Sequence, residues 1–199
     1  MKLKTKIALG VAILVGLMVI VFIIRNVASS TKYIPQEFVE AKARSAEIAQ
    51  RITNLSSQSL SGLEQINNLD KSKDYSEAVI LASNKLVQNR ETREEAIKLA
   101  SQMEKMAAGL PEIKPAKARQ IATEAIGYEV ALVSRLISYN DFFNQLFDTL
   151  IKKFKNEESD ANSKTQELIN KINDEAQAIN ELNSKFNRAI AELDKVFSQ

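Results

Sequence analysis

The sequence predicts an all-α protein: an N-terminal transmembrane helix followed by a long antiparallel four-helix bundle or coiled-coil body. Three observations carry that expectation. Five Gly and three Pro in 199 residues are too few for the turns of a β-rich fold. Ile7 to Ile24 form an uncharged run of eighteen residues, the signature of a membrane span. Beyond it, apolar residues recur at three- and four-residue spacing, which places them on one face of a helix.

The elements follow in chain order. Residues 1–6 are a basic stub carrying Lys2, Lys4 and Lys6. Residues 7–25 are the anchor; a helix over the uncharged run is about 27 Å long, close to the hydrocarbon thickness of a bilayer. A retained anchor and a cleaved signal peptide both begin this way. The run exceeds the 7–15 residues or so of a cleaved h-region, and the best cut, after Ala28, places Asn26 where a small residue is wanted. The retained anchor is therefore the reading. Three lysines before the span, against Arg25 and Lys32 close behind it, favour a cytoplasmic N-terminus with the body outside the cytoplasm. The six-residue stub leaves no room for an output domain. Without Cys there is no lipid anchor on a cysteine.

Residues 26–34 read as a small, polar juxtamembrane linker and residues 35–199 as the four-helix body. Pro35 opens the first helix, with a stripe of Phe38, Ala41, Ile48, Ile52, Leu55, Ile66 and Leu69; Ser45, Ser59 and Gly62 fall on the same stripe and leave room for a neighbour. Asp74 with Glu77 makes a capping box for the second helix. Its expected inner face is Val79, Ala82, Leu86, Ala96, Ala100, Met103 and Ala107, and Gly109 is expected as a left-handed C-terminal residue. Leu110 to Pro115 form a turn between two prolines. The third helix carries Ile121, Ala125, Tyr128 and Leu132, a stutter near Leu136, then Tyr139, Phe143, Leu146, Leu150 and Phe154. After the acidic loop Asn156 to Asp160, the fourth helix shows the clearest heptad: Leu168, Ile172, Ile179, Leu182, Phe186, Leu193 and Val196. Long helices joined by short loops pack antiparallel with their sequential neighbours. The same heptads fit a homodimer nearly as well as a monomer.

Three short stretches resemble the LemA family of membrane-anchored helical proteins: Ile52, Asn54 and Leu55; Leu110 to Lys114 (LPEIK); and Tyr139, Asn140 and Asp141. The resemblance covers residues 7–155 and implies an envelope protein with an N-terminal anchor and a helical bundle, but no defined biochemical activity. Thr53 stands where that family has proline, the tryptophan typical of its first helix is missing, and the helix after Glu157 has no counterpart in it.

Composition excludes several chemistries. With neither His nor Cys the chain lacks the residues of a zinc finger, a Ser-His-Asp triad, a Cys nucleophile or a Glu-x-x-His di-iron bundle. Removing Lys2, Lys4, Lys6 and Arg25 from the 27 basic residues leaves 23 against 25 acidic ones in the body. That balance argues against a nucleic-acid surface. No catalytic residue, cofactor or metal site is expected. The acidic cluster Glu157, Glu158 and Asp160 lacks the alternation and glycine of a calcium loop, and Glu94 with Lys98 reads as a surface i, i+4 pair.

Asn89 and Arg93 in the second helix and Glu175 in the fourth break the apolar pattern. Counted inward from the loops, Arg93, Arg135 and Glu175 reach one level and are the candidate polar layer: an anion or ligand site, a register-setting ion pair, or long side chains reaching solvent. Asn173, Asn180 and Asn187 repeat every seven residues on a solvated flank. The expected function is a non-enzymatic, single-pass envelope module for interaction or scaffolding. Its expected partners are the bilayer and a protein, another copy included. The alternative is a sensor-like ectodomain that binds a small ligand and relays through a membrane partner.

Overall fold

A computed structural model of the chain describes residues 32–198, and these fold as a four-helix bundle: α1 (Gln36–Ser72), α2 (Tyr75–Gly109), α3 (Ala116–Phe154) and α4 (Ala161–Ser198). The predicted anchor, residues 7–25, lies outside the described residues. Among the described residues no helix is long and apolar enough to cross a membrane. The longest helix, with 39 residues, extends about 58 Å.

Local chemistry sets the helix ends. Pro35 occupies the N-cap position of α1. Lys73 turns left-handed at φ 62° and returns its N–H to the carbonyls of Asp70 and Leu69, closing the last turn of α1 without a glycine. The Asp74 carboxylate accepts from the Glu77 N–H at 3.3 Å, the capping half of the expected box. Gly109 differs from expectation. Its φ is −79°, because the chain leaves α2 through a single 3-10 turn, Leu110–Glu112, rather than a left-handed cap. Ile113 is then fully buried. Lys114 forms a two-bond antiparallel bridge with Tyr33, at 3.1 and 2.9 Å, which ties the entry to α1 to the α2–α3 connection.

Extended close approaches join α1 to α2, α2 to α3 and α3 to α4, and none of that kind joins α1 to α4. The bundle is therefore slightly open along its α1–α4 side. That side is bridged by an ion pair, Lys42 Nζ to Asp194 Oδ1 at 3.3 Å. The core is continuous: Phe38, Ile52 and Ile66 from α1, Leu99 and Met106 from α2, Phe143 and Phe147 from α3, and Phe186 and Leu193 from α4 are each almost fully buried. Tyr139, Phe143 and Phe147 pack at ring-centroid distances of 4.9 and 5.9 Å in tilted pairs, the preferred geometry for aromatic quadrupoles. The aromatic end of α3 is thus core, and Phe142 is half-buried with Lys171 Nζ 5.6 Å from its ring centroid.

The stripes expected for α1 and α3 are buried almost throughout, and helix α3 runs unbroken through Ser138–Asp141. The α2 stripe is rotated. Ala78, Ala82, Asn89, Thr92, Ala96, Leu99, Met103 and Met106 face inward, whereas Ala100 and Ala107 are exposed and Val79 and Leu86 are half-buried. In α4, Asn183 is buried, while Leu182 and Val196 are only half-buried.

Candidate functional site

Arg135 and Glu175 of the predicted polar layer meet; Arg93 does not join them. Arg135 Nη1 donates to Glu175 at 3.2 and 3.4 Å, from a guanidinium 52% exposed to a carboxylate 12% exposed. The pair straddles the α3–α4 edge, where solvent screening leaves it worth about 0–1 kcal/mol. Arg93 is exposed on α2 and makes no ion pair among the described residues. Rotation of α2 carries it outward and brings Asn89 inward.

The buried polar contact of the bundle lies between α2 and α3 instead. Asn89 Nδ2 donates to the Asn140 carbonyl and to Asn144 Oδ1, both at 3.0 Å. Asn140 Nδ2 donates back to the Asn89 carbonyl at 3.1 Å. Both side chains are nearly inaccessible, at 3% and 1% exposed. This reciprocal clasp favours one α2–α3 register, since sliding either helix by one turn would strand the two buried amide nitrogens. Asn140 Oδ1 and the nearby Thr92 Oγ1 are left without partners. The sequence marks Asn89 as a break in pattern but gives no sign that Asn140, a residue in a polar Ser-Tyr-Asn-Asp stretch, is its partner.

Glu129 is the most perturbed acid. It is 3% exposed, its Oε2 has no hydrogen-bond partner, and burial alone pushes its pKa up to about 8. It lies eleven residues before Asn140, three turns along the same strip of α3. At neutral pH this side chain is held as the uncharged acid. Burial likewise pushes the Tyr139 hydroxyl far above its ordinary range. Glu95 shows the opposite outcome: burial raises it, but hydrogen bonds and charge from Lys98 and Arg51, at 2.7 and 2.9 Å, outweigh that and hold it low. Lys98 thus pairs with Glu95 rather than with Glu94.

Two concave features meet at this end of the bundle: a polar cleft of about 540 Å³ along the loop from Asn156 to Ser159, and beside it an apolar cavity that follows from the open α1–α4 side. A cavity of about 210 Å³ opens near the C-terminal ends of α1 and α3 and the N-terminal end of α4. Leu63, Ile66, Leu146, Leu150 and Ile169 contribute its apolar surface. Thr165 contributes a buried hydroxyl with no partner, and the Asp70–Lys153 ion pair, at 2.7 Å, lies beside it. Asn67, Asn162 and Gln166 complete the lining, so the chamber, apolar on one side and polar on the other, can hold a small amphiphile. Among the described residues no group of acidic side chains converges as a metal site. Asn173, Asn180 and Asn187 are half-buried beside the α4 seam, and Asn187 donates to Asn183 at 3.3 Å.

Comparison with known proteins adds no relative: no family model, no curated protein sequence and no solved structure matches this chain.

Proposed function

We propose that this chain is a non-enzymatic, single-pass membrane protein whose helical body acts outside the cytoplasm as an interaction or scaffolding module of the cell envelope. The observation that carries the reading is the uncharged run Ile7 to Ile24, flanked by Lys2, Lys4, Lys6 and Arg25 and followed directly by a long helical body. The resemblance to the LemA plan supports the same location. Support for an interaction role comes from α2, which exposes Ile80, Val87 and Ile97 by more than half.

The alternative, a sensor-like body that binds a small ligand, is favoured by the cavity between α1, α3 and α4. At about 210 Å³ it is smaller than the roughly 300–1,000 Å³ of pockets for drug-sized ligands. The adjoining cleft of about 540 Å³ is lined mainly by polar loop residues such as Asn156, Glu157 and Ser159 and lacks an apolar enclosure, which ranks that reading second.

Because the chain has no Cys, accessibility labelling tests the placement directly. Single cysteines at Ser30, Ser72 and Ser198 of the full chain are exposed to a membrane-impermeant thiol reagent in intact cells. Labelling at all three before lysis, with the protein in the membrane fraction, is the expected result. Labelling only after lysis puts the body on the cytoplasmic side, and recovery of the protein in the soluble fraction removes the anchor.

A further inference from the structure

We infer that the outer face of α2 pairs antiparallel with the same face of a second copy of this chain, about a two-fold axis at the level of Thr92. Helix α2 carries two stripes. The inward one packs against α1 and α3. The outward one runs Ser76, Ile80, Ser83, Val87, Arg90, Glu94, Ile97, Ser101, Glu104 and Ala108, alternating steps of four and three residues along α2. That alternation is the seam of a coiled coil, and it faces no helix of its own bundle. Ile80, Val87 and Ile97 on it are 54%, 62% and 57% exposed, the largest exposures among the bulky aliphatic residues described.

The central part of the stripe, Ser83 to Ser101, is self-complementary when reversed about Thr92, and beyond it Ile80 falls opposite Glu104. Val87 is five residues before Thr92 and Ile97 five after, so each meets the other across the axis. Arg90 and Glu94, two residues either side, meet as opposite charges. Ser83 and Ser101, nine residues either side, are small and admit close approach. Such a face is isologous, as a two-fold dimer requires. A parallel pairing in register would instead set Arg90 against Arg90 and Glu94 against Glu94.

The charges are also unspent. Arg90, Glu91, Arg93 and Glu94 form no ion pair within their own chain among the described residues, although Glu95, next in sequence, has two. The Asn89–Asn140 clasp sets Val130 of α3, itself 53% exposed, within a turn of the level of Ile97, which widens the apolar part of the face. Pro35 at the start of α1 lies 3.5 Å from where a side chain on Gly109 would begin. The two chains therefore enter their bundles about 50 Å apart, at opposite ends of the pair.

This pairing deepens the interaction reading by naming the partner, and it stands or falls apart from the anchor. It holds if the body proves cytoplasmic, and it fails if copies do not meet even when the labelling result is as expected.

The test uses two differently tagged full chains, one Val87→Cys and the other Ile97→Cys, co-expressed and oxidised in membranes. Both positions are exposed, so folding is not at stake. The expected product is a disulfide-linked mixed pair in at least about tenfold excess over either variant linked to itself, because like positions sit about 15 Å apart along the axis. Equal linking in all combinations, or none, overturns the proposal. Adding Arg90→Glu to both chains is expected to reduce the mixed product about tenfold or more. Adding Glu94→Arg as well is expected to restore it, and failure of that restoration overturns the assigned register.

Discussion

Helices α2 and α4 are nearly the same length, 35 and 38 residues, and they use their sequences in opposite ways. α4 buries Leu168, Ile172, Ile179, Phe186, Ile190 and Leu193, and none of its large apolar side chains is fully exposed. α2 buries Asn89 and Thr92 between alanines while Ile80, Val87 and Ile97 face solvent. One helix has a single partner surface inside the fold. The other buries Leu99, Met103 and Met106 near its C-terminal end but only small or polar residues before them, and carries three large aliphatic side chains outside, the arrangement expected of a helix that serves two interfaces. The lesson is that an apolar stripe locates a contact without saying whether the contact belongs to the same chain.

Four experiments sharpen that contrast, beginning with the largest expected effect. Glu129 lies on the strip that faces α2, and its carboxyl rises from 4.5 to about 8 on folding. The folded state therefore binds the proton more tightly than the unfolded state. Stability should be full below about pH 4.5 and fall as pH rises towards 8, by at most about 5 kcal/mol. Denaturant titration of the wild type and of Glu129→Gln across pH 4–9 checks this. The variant should lack the decline, and parallel curves would show that Glu129 is not buried as an acid.

Within α4, Phe186→Ala removes a ring 2% exposed and is expected to cost about 3–5 kcal/mol through lost burial and the cavity left behind. On the outer face of α2, Ile80→Ser should change stability by less than about 0.5 kcal/mol. If both substitutions cost the same, the distinction between the two helices is lost.

The clasp comes next. Asn89→Ala removes the donor to the Asn140 carbonyl and to Asn144 Oδ1, while Asn140 Nδ2 keeps the main-chain carbonyl at position 89, at an expected cost of about 1–3 kcal/mol. Asn89→Leu with Asn140→Leu should recover part of that cost while relaxing the α2–α3 register, read as broadened amide resonances or new cross-links between shifted positions. A double variant with unchanged register would assign the alignment to apolar packing instead. The smallest effect is expected at the α3–α4 edge, where Arg135→Gln should cost no more than about 1 kcal/mol and become neutral in high salt.

Much of the bundle is readable from local chemistry. Pro35, the Asp74 cap and the two-proline turn mark the helix boundaries because each acts within a few residues. Phe38, Ile48, Ile52 and Ile66 on α1, and Leu168, Ile172 and Phe186 on α4, are placed correctly because large apolar side chains contrast sharply with their neighbours. On α2 the contrast is weak. Alanines occur on both faces, so Ala100 and Ala107 look as suitable for burial as Ala78 and Ala96. The observed rotation sets Asn89 against Asn140, 51 residues further along the chain. The predicted layer was half visible for the same reason: Arg135 and Glu175 are level and adjacent, whereas Arg93 depends on which way α2 turns.

The sequence by itself determined four long helices, their order, their boundaries and a nearly neutral body, because propensity, capping and periodicity are properties of neighbouring residues. Tertiary structure decided which polar groups are buried together, why Glu129 keeps its proton, and that the α1–α4 side opens into a small cavity. Those outcomes depend on the distance between helices far apart in the chain, and burial and hydrogen-bond partnership exist only once that distance is set.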